Sequence, residues 1–224
     1  MGVDLVGIIG HTLTKKEIVS LPNEVNKWQD VNRFFSSYDE RALEPAKWDG
    51  IINEEQLELI WQNFETTEIN KEILNKMENF DTQIDCNFGT LSIYRRTILI
   101  SHWNHKYSNL RNLETAKNIL KLNRMIAKHF NQNEIIYCTD SGYPTQSIED
   151  KALSGLEFED LKRFGISEFG IPPKDLNEGR KYMYFIDDFN EDLNKLTSWD
   201  GEKNPYWYYD TAINGYKLKA YNKS

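Results

Sequence analysis

The sequence predicts an α+β fold: a helical N-terminal third, followed by a mainly antiparallel sheet with one long helix packed on it. Three observations lead there. Apolar residues recur at spacings of three and four through the first third and again over residues 108–131, the period of a helix with one buried face. Short β-branched runs at 3–9, 84–88, 91–101 and 134–139 read as strands. Aromatic runs at 182–186, 206–209 and 216–221 extend an antiparallel sheet toward the C-terminus.

Each element has a local reason. The first strand turns at Gly10-His11. Thr14-Lys15-Lys16-Glu17 is a capping box, in which Thr and Glu satisfy one another's backbone N–H groups, and it opens a short helix. Pro22 is expected to start a second helix, with Val25, Trp28, Val31 and Phe35 on one face. Asn53 to Gln56 begins a helix carrying Leu57, Ile60, Trp61 and Phe64, and a further one starts near Thr67 with Ile69, Ile73, Met77 and Phe80. A tight turn at Gly89-Thr90 joins the strands 84–88 and 91–101. The longest helix, 108–131, buries Leu113, Ala116, Ile119, Leu120, Ile126 and Phe130. Ser154-Gly155-Leu156-Glu157 reads as a second capping box, before a short helix that Gly165 ends. The chain is read as one domain over 1–224, with Pro172-Pro173 marking a weak seam near 170–175.

Composition narrows the function classes. With 224 residues, 39% of them hydrophobic, the chain can bury a core without staples. Met1 to Gly10 has no basic n-region and Asp4 interrupts its apolar run, so no secretory leader is expected. No apolar run is long enough to span a bilayer. Cys86 and Cys138 stand far apart in apolar contexts, which reads as two buried free thiols in the cytoplasm. The net charge of −8 disfavours nucleic acid and anionic membranes as partners and allows a basic protein. Residues 53–85 hold nine acids and two bases, whereas 94–130 hold eight bases and one acid. Lys117, Lys121, Arg124 and Lys128 form a stripe on the long helix, read as pairing with the acidic segment or as solvated, with phosphate contact as the alternative.

The motifs carry little chemistry. His102-Trp103-Asn104-His105 places two imidazoles three apart, but no third ligand is spaced to complete a metal site; the segment reads as a loop after a strand. Asp140-Ser141-Gly142-Tyr143-Pro144 follows a strand, yet it lacks the strained G-x-S-x-G elbow of a nucleophilic serine and reads as a turn. Gly7 to Thr12 lacks the Gly-Lys-Ser/Thr of a phosphate loop. Asp188 to Asp192 begins like a calcium loop, but Leu193 stands where Gly is needed and Trp199 where Glu is needed. Trp48-Asp49-Gly50 and Trp199-Asp200-Gly201 read as Trp-anchored turns. No metal and no cofactor is expected.

Two function classes follow. The first is a non-enzymatic interaction protein of a bacterial cytosol, an inhibitor or immunity-type module that masks a basic enzyme. Acidic groups steer such an association and Tyr or Trp anchors supply affinity. Residues 181–210, with seven acids and three bases, or 53–85, are the expected surface, with Asp187, Asp188, Asp192, Trp199, Tyr206 and Trp207 as contacts. The alternative is a small hydrolase in which His11, His102, His105, Asp140 and Ser141 converge. A carbohydrate-binding module, with a planar row of exposed rings, is a weaker third.

Overall fold

The structure, a computed structural model, describes residues 4–38, 47–50, 52, 54, 57–58, 82–86, 88–140, 145–199, 209–210 and 217–218. Their architecture is α+β. The described elements run β1 (Asp4–Gly10), α1 (Lys15–Val25), α2 (Gln29–Tyr38), β2 (Gln83–Cys86), β3 (Gly89–Ile93), β4 (Thr97–Lys106), a 3₁₀ turn (Tyr107–Arg111) and α3 (Leu113–His129). Then come β5 (Ile135–Thr139), α4 (Gln146–Leu153), α5 (Phe158–Phe169), α6 (Leu176–Gly179), β6 (Phe185–Asp187), a 3₁₀ turn (Leu193–Lys195), β7 (Tyr209–Asp210) and β8 (Lys217–Leu218). Six strands form one sheet in the order β2-β3-β4-β1-β5-β6, every pair antiparallel. β7 and β8 pair with each other. None of the described helices is long and apolar enough to cross a membrane.

The strands read as continuous apolar runs because helices cover both faces of the sheet. On β1, Leu5 and Ile9 join one core and Val6 and Ile8 the other, the two-residue alternation of a strand. The first core also takes Ile98, Ile100, Ile135, Tyr137 and Phe185 from the sheet, Ile18, Leu21 and Val25 from α1, and Ala116, Ile119 and Ile126 from α3. The second takes Leu99, Ile136 and Cys138, with Ile148 and Ala152 of α4 and Phe158, Leu161 and Phe169 of α5. β6 lies beyond Pro172-Pro173 in sequence yet pairs with β5, Ile136 opposite Ile186.

The Thr14 capping box is present with both its hydrogen bonds. Trp48 is clamped by Asn26 and Asn32. Its backbone N donates to Asn26 Oδ1 at 2.9 Å and its indole N to Asn32 Oδ1 at 2.9 Å. Asp49 then exchanges two backbone bonds of 2.7 Å with Asp85, which covers the outer edge of β2. Arg180 is fully buried and donates to the Leu110 carbonyl at 2.6 Å and to that of Thr197. This joins the 3₁₀ turn before α3 to the stretch beyond β6.

Several boundaries differ from the sequence expectation. Pro22 lies inside α1, which runs to Val25, and the chain breaks at Asn26 before α2. Residues 91–101 are not one strand: the chain reverses at Tyr94–Thr97, where Tyr94 N bonds Thr97 O at 2.9 Å. Gly89-Thr90 opens β3 rather than forming the turn. His102 to His105 extend β4 instead of forming a loop. The long helix is shorter than the expected 108–131: α3 starts after Asn112, whose side chain caps it by accepting from Thr115 N at 2.9 Å. Ser154 ends α4, an element absent from the sequence reading, and Glu157 caps α5 with no side-chain bond. Gly165 sits within α5 because a Cβ there would meet the Tyr184 ring at 2.8 Å; Gly170, at φ 91°, ends the helix. The helices expected over 60–80, and the strand runs over 206–208 and 219–221, lie outside the described residues.

Gly89 is required by approach rather than by turn geometry. A Cβ there would lie 1.9 Å from the Ser101 carbonyl oxygen, which is backbone and cannot rotate away. Gly89→Ala should therefore lower stability by about 1–3 kcal/mol or more, read as a shift of the urea midpoint. An unchanged midpoint would contradict this β3–β4 register.

Candidate functional site

Two of the histidines named for catalysis, His11 and His102, have structural partners. His11 follows β1 and is 5% exposed. Its Nδ1 accepts from Leu13 N at 3.1 Å, so its Nε2 carries the proton and donates to the Tyr94 carbonyl at 2.8 Å. Burial is the main cause that holds its pKa below the ordinary value, opposing the Tyr94 bond and reinforced by Arg96. The ring joins β1 to the β3–β4 turn. His102 lies on β4 beneath α3, 2% exposed, with Nε2 donating to Asn123 Oδ1 at 2.7 Å. Asp140 accepts from Asp4 N at 2.9 Å. None of these bonds joins His11 or His102 to Asp140. The side chain of His105, and all of Ser141, lie outside the described residues.

The residues named for binding separate. Asp187 is buried at 0% exposure and receives Arg124 Nε at 2.8 Å and Nη2 at 2.7 Å. It also accepts from Phe189 N at 3.1 Å, while Arg124 Nη1 reaches the Glu191 carbonyl at 2.8 Å. Strand alternation explains the burial: Asp187 and Phe185 share the face under α3. Arg124 thus leaves the solvated stripe, and its partner is not in 53–85. Lys121 lies 4.4 Å from the centre of the Phe34 ring. Trp199 is 7% exposed, beneath the Arg111 guanidinium at 5.6 Å. Asp188 and Asp192 do reach solvent. Asp188 accepts from Asn190 N and Nδ2 at 3.1 and 2.8 Å, and Asp192 caps the 3₁₀ turn through Asn194 N at 2.9 Å. Tyr206 and Trp207 lie outside the described residues.

Two chemical features bear on reactivity. Cys86 and Cys138 are buried and free; burial pushes the Cys86 thiol to about 12 and Cys138 well above its ordinary value. Neither is set up as a nucleophile. Glu149 of α4 faces the second side of the sheet, where burial, then Asp140, then Asp150 raise it to about 8. Among the described residues no cluster of three His, Cys, Asp or Glu side chains could hold a metal.

The surface feature that residue patterns missed lies between α5 and β6. Ile166 and Ile171, 36% and 47% exposed, are the exposed large hydrophobics of the described residues. With Pro172, Pro173 and Ile186 they line a groove of about 150 Å³, whose charged lining is Glu134, Asp188, Lys162 and Lys174. Lys162, also in the lining, is paired to Glu134 and Glu159. The groove lies beside β6, the last strand of the sheet. An available signal was Ile171, an aliphatic residue immediately before Pro172-Pro173 in a segment with no helical or strand period.

Comparison with protein families, with curated proteins and with solved structures finds no match for this chain.

Two outcomes test these assignments. Asp187→Ala strands the buried Arg124 guanidinium and should destabilise by about 3–5 kcal/mol, whereas Asp188→Ala should stay within about 0.5 kcal/mol. Equal effects in denaturant titrations would refute the division into core and surface. Glu149 concerns pH. Its folded pKa lies above the ordinary 4.5, at about 8, so the folded state favours the protonated form. The associated stability is present below about 4.5 and falls, by at most about 1.4 kcal/mol per pH unit, until pH passes about 8. Glu149→Gln should gain on the parent chain across that window and hold its gain above it. Parallel melting-temperature profiles for the two chains would exclude a raised Glu149.

Proposed function

We propose that this chain is a non-enzymatic protein-binding module that masks a basic partner, in the manner of an inhibitor or immunity-type protein. The observation that carries it is the exposed Ile166–Ile171 groove beside a sheet edge. Aliphatic groups with polar neighbours are what a partner surface offers. The net charge of −8 gives the partner its sign, because long-range attraction raises the encounter rate with a basic protein. Asp188 and Asp192 are the contacts from the acidic stretch that reach solvent. Asp187 and Trp199 act from beneath, shaping the stretch rather than touching a partner. The two buried free thiols accord with work in the cytoplasm.

The test is affinity capture from the source lysate at low and high salt, followed by an assay of whatever activity the captured protein has. A stoichiometric basic protein, released by salt and inhibited by this chain, is expected. Asp188→Asn with Asp192→Asn should slow association and flatten its salt dependence, with dissociation little changed. Capture of an acidic partner, or of a basic one whose activity is untouched, would defeat the masking function.

A further inference from the structure

The N-terminal end of α3 holds donors that no acceptor meets. α3 runs for 17 residues, and the first amides of a helix have no partner within it. Asn112 caps one of them, accepting from Thr115 N at 2.9 Å. Among the described residues, Leu113 N and Glu114 N have no acceptor. These two residues line an open hollow of about 430 Å³ with Arg111, Asn112, Ser198 and Trp199. Aligned peptide dipoles make a helix N-terminus attractive to an anion. Two buried groups single this one out.

The first is Trp199. It belongs to the lining, is 7% exposed, and its indole N–H is buried without an acceptor. An indole nitrogen usually finds a partner when buried, and a buried donor left unmet is costly. The second is Arg180. It is fully buried, and the carbonyls of Leu110 and Thr197 hold its guanidinium; those residues precede Arg111 and Ser198 of the lining. Burial lowers its pKa with no acidic neighbour acting on it. A buried charge is ordinarily paired, so Arg180 leaves a positive field behind the hollow. Arg111 adds a second guanidinium, 5.6 Å from the centre of the Trp199 ring. The acid of the lining is Glu114, whose carboxylate accepts from Asn118 Nδ2 at 3.4 Å. Arg111, Arg180 and Glu114 together are net positive, in a chain whose net charge is −8.

We propose that this hollow binds a compact oxyanion, the phosphate or carboxylate group of a small ligand, which accepts from Leu113 N and Glu114 N and is paired by Arg111. In turning to the anion, the Arg111 guanidinium leaves the Trp199 ring and uncovers the indole N–H, which becomes a further donor. Arg180 acts from behind without touching the ligand, since carbonyls hold its charge and no acid cancels it. The binding is non-covalent. The hollow shares no residue with the Ile166–Ile171 groove, and the site stands whether or not the masking function does.

The test uses the full chain, isotope-labelled for amide NMR and titrated at constant ionic strength with inorganic phosphate or with acetate, chloride being the ion replaced. The Trp199 indole signal is identified as the one absent from Trp199→Phe. Phosphate, acetate or both should shift the Leu113 and Glu114 amides and the Trp199 indole along one saturable curve. Phosphate alone assigns a phosphorylated ligand, and acetate alone a carboxylate. Arg111→Gln should weaken binding roughly tenfold. Glu114→Gln removes the opposing charge and should tighten it about two- to fivefold. Lys117→Gln, one turn further along α3 and outside the lining, should leave it unchanged. No saturable shift from either anion overturns the proposal. So do shifts spread equally over Lys117, Lys121 and Lys128, or equal weakening by Arg111→Gln and Lys117→Gln. Should Arg111→Gln lower the melting temperature, Glu114→Gln decides: tighter binding supports the site, and unchanged binding overturns it.

Discussion

The pairing of Arg124 with Asp187 holds the last strand of the sheet in place. Both side chains are withdrawn from water, at 12% and 0% exposure. A buried ion pair is not in itself a strong source of stability, since desolvation cancels much of the attraction. Its value here is positional. The carboxylate accepts two guanidinium donors and the Phe189 amide, and the third guanidinium nitrogen takes the Glu191 carbonyl. One contact therefore sets β6 against α3, closes the turn through Phe189 at φ 61°, and fixes where Asp188 emerges. Beyond its ladder with β5, this three-residue strand is also held by Phe185, which is buried and stacks on Tyr137 with ring centres 4.6 Å apart.

The rest of the architecture places that edge between two helical layers. β1, buried along nearly its whole length, is the axis of the sheet, and β4 and β5 flank it. α3 covers one face with Ala116, Ile119 and Ile126, and α5 covers the other with Phe158, Leu161 and Phe169. Alternation along β6 then gives each layer its own contact: Asp187 reaches α3, and Ile186 reaches the α5 side and the groove. The groove is thus a consequence of sheet alternation at an edge, with Ile166 and Ile171 left uncovered because no further strand lies beside β6 among the described residues.

Local signals in the sequence were legible where chemistry and structure coincide over a few residues. The Thr14 capping box, the strand at β1 and the apolar face of α3 all follow from neighbouring residues. Signals failed where a distant partner decided. Gly165 resembles a helix end, yet it is interior because Tyr184 needs the space. His102 resembles a loop residue, yet Asn123 on α3 accepts its bond and lets β4 continue. Asp187 and Asp188 are adjacent acids in the sequence, and only the strand direction separates an internal anchor from a surface charge. The groove was illegible for the same reason: Ile166, Ile171 and Ile186 come from a helix, a loop and a strand, and no spacing in the sequence joins them.

The central claim is that the Arg124–Asp187 pair positions the β6 edge. It is tested most directly by native-state hydrogen exchange on Arg124→Met, in which the hydrophobic stem is kept and the charge removed. Amides of β6 and of 188–191 should lose protection, while those of β1 and β4 keep it, as expected for opening of a sub-region rather than of the whole chain. Unchanged protection in β6 would contradict the claim, and would mean that the ladder with β5 holds the edge without help from α3.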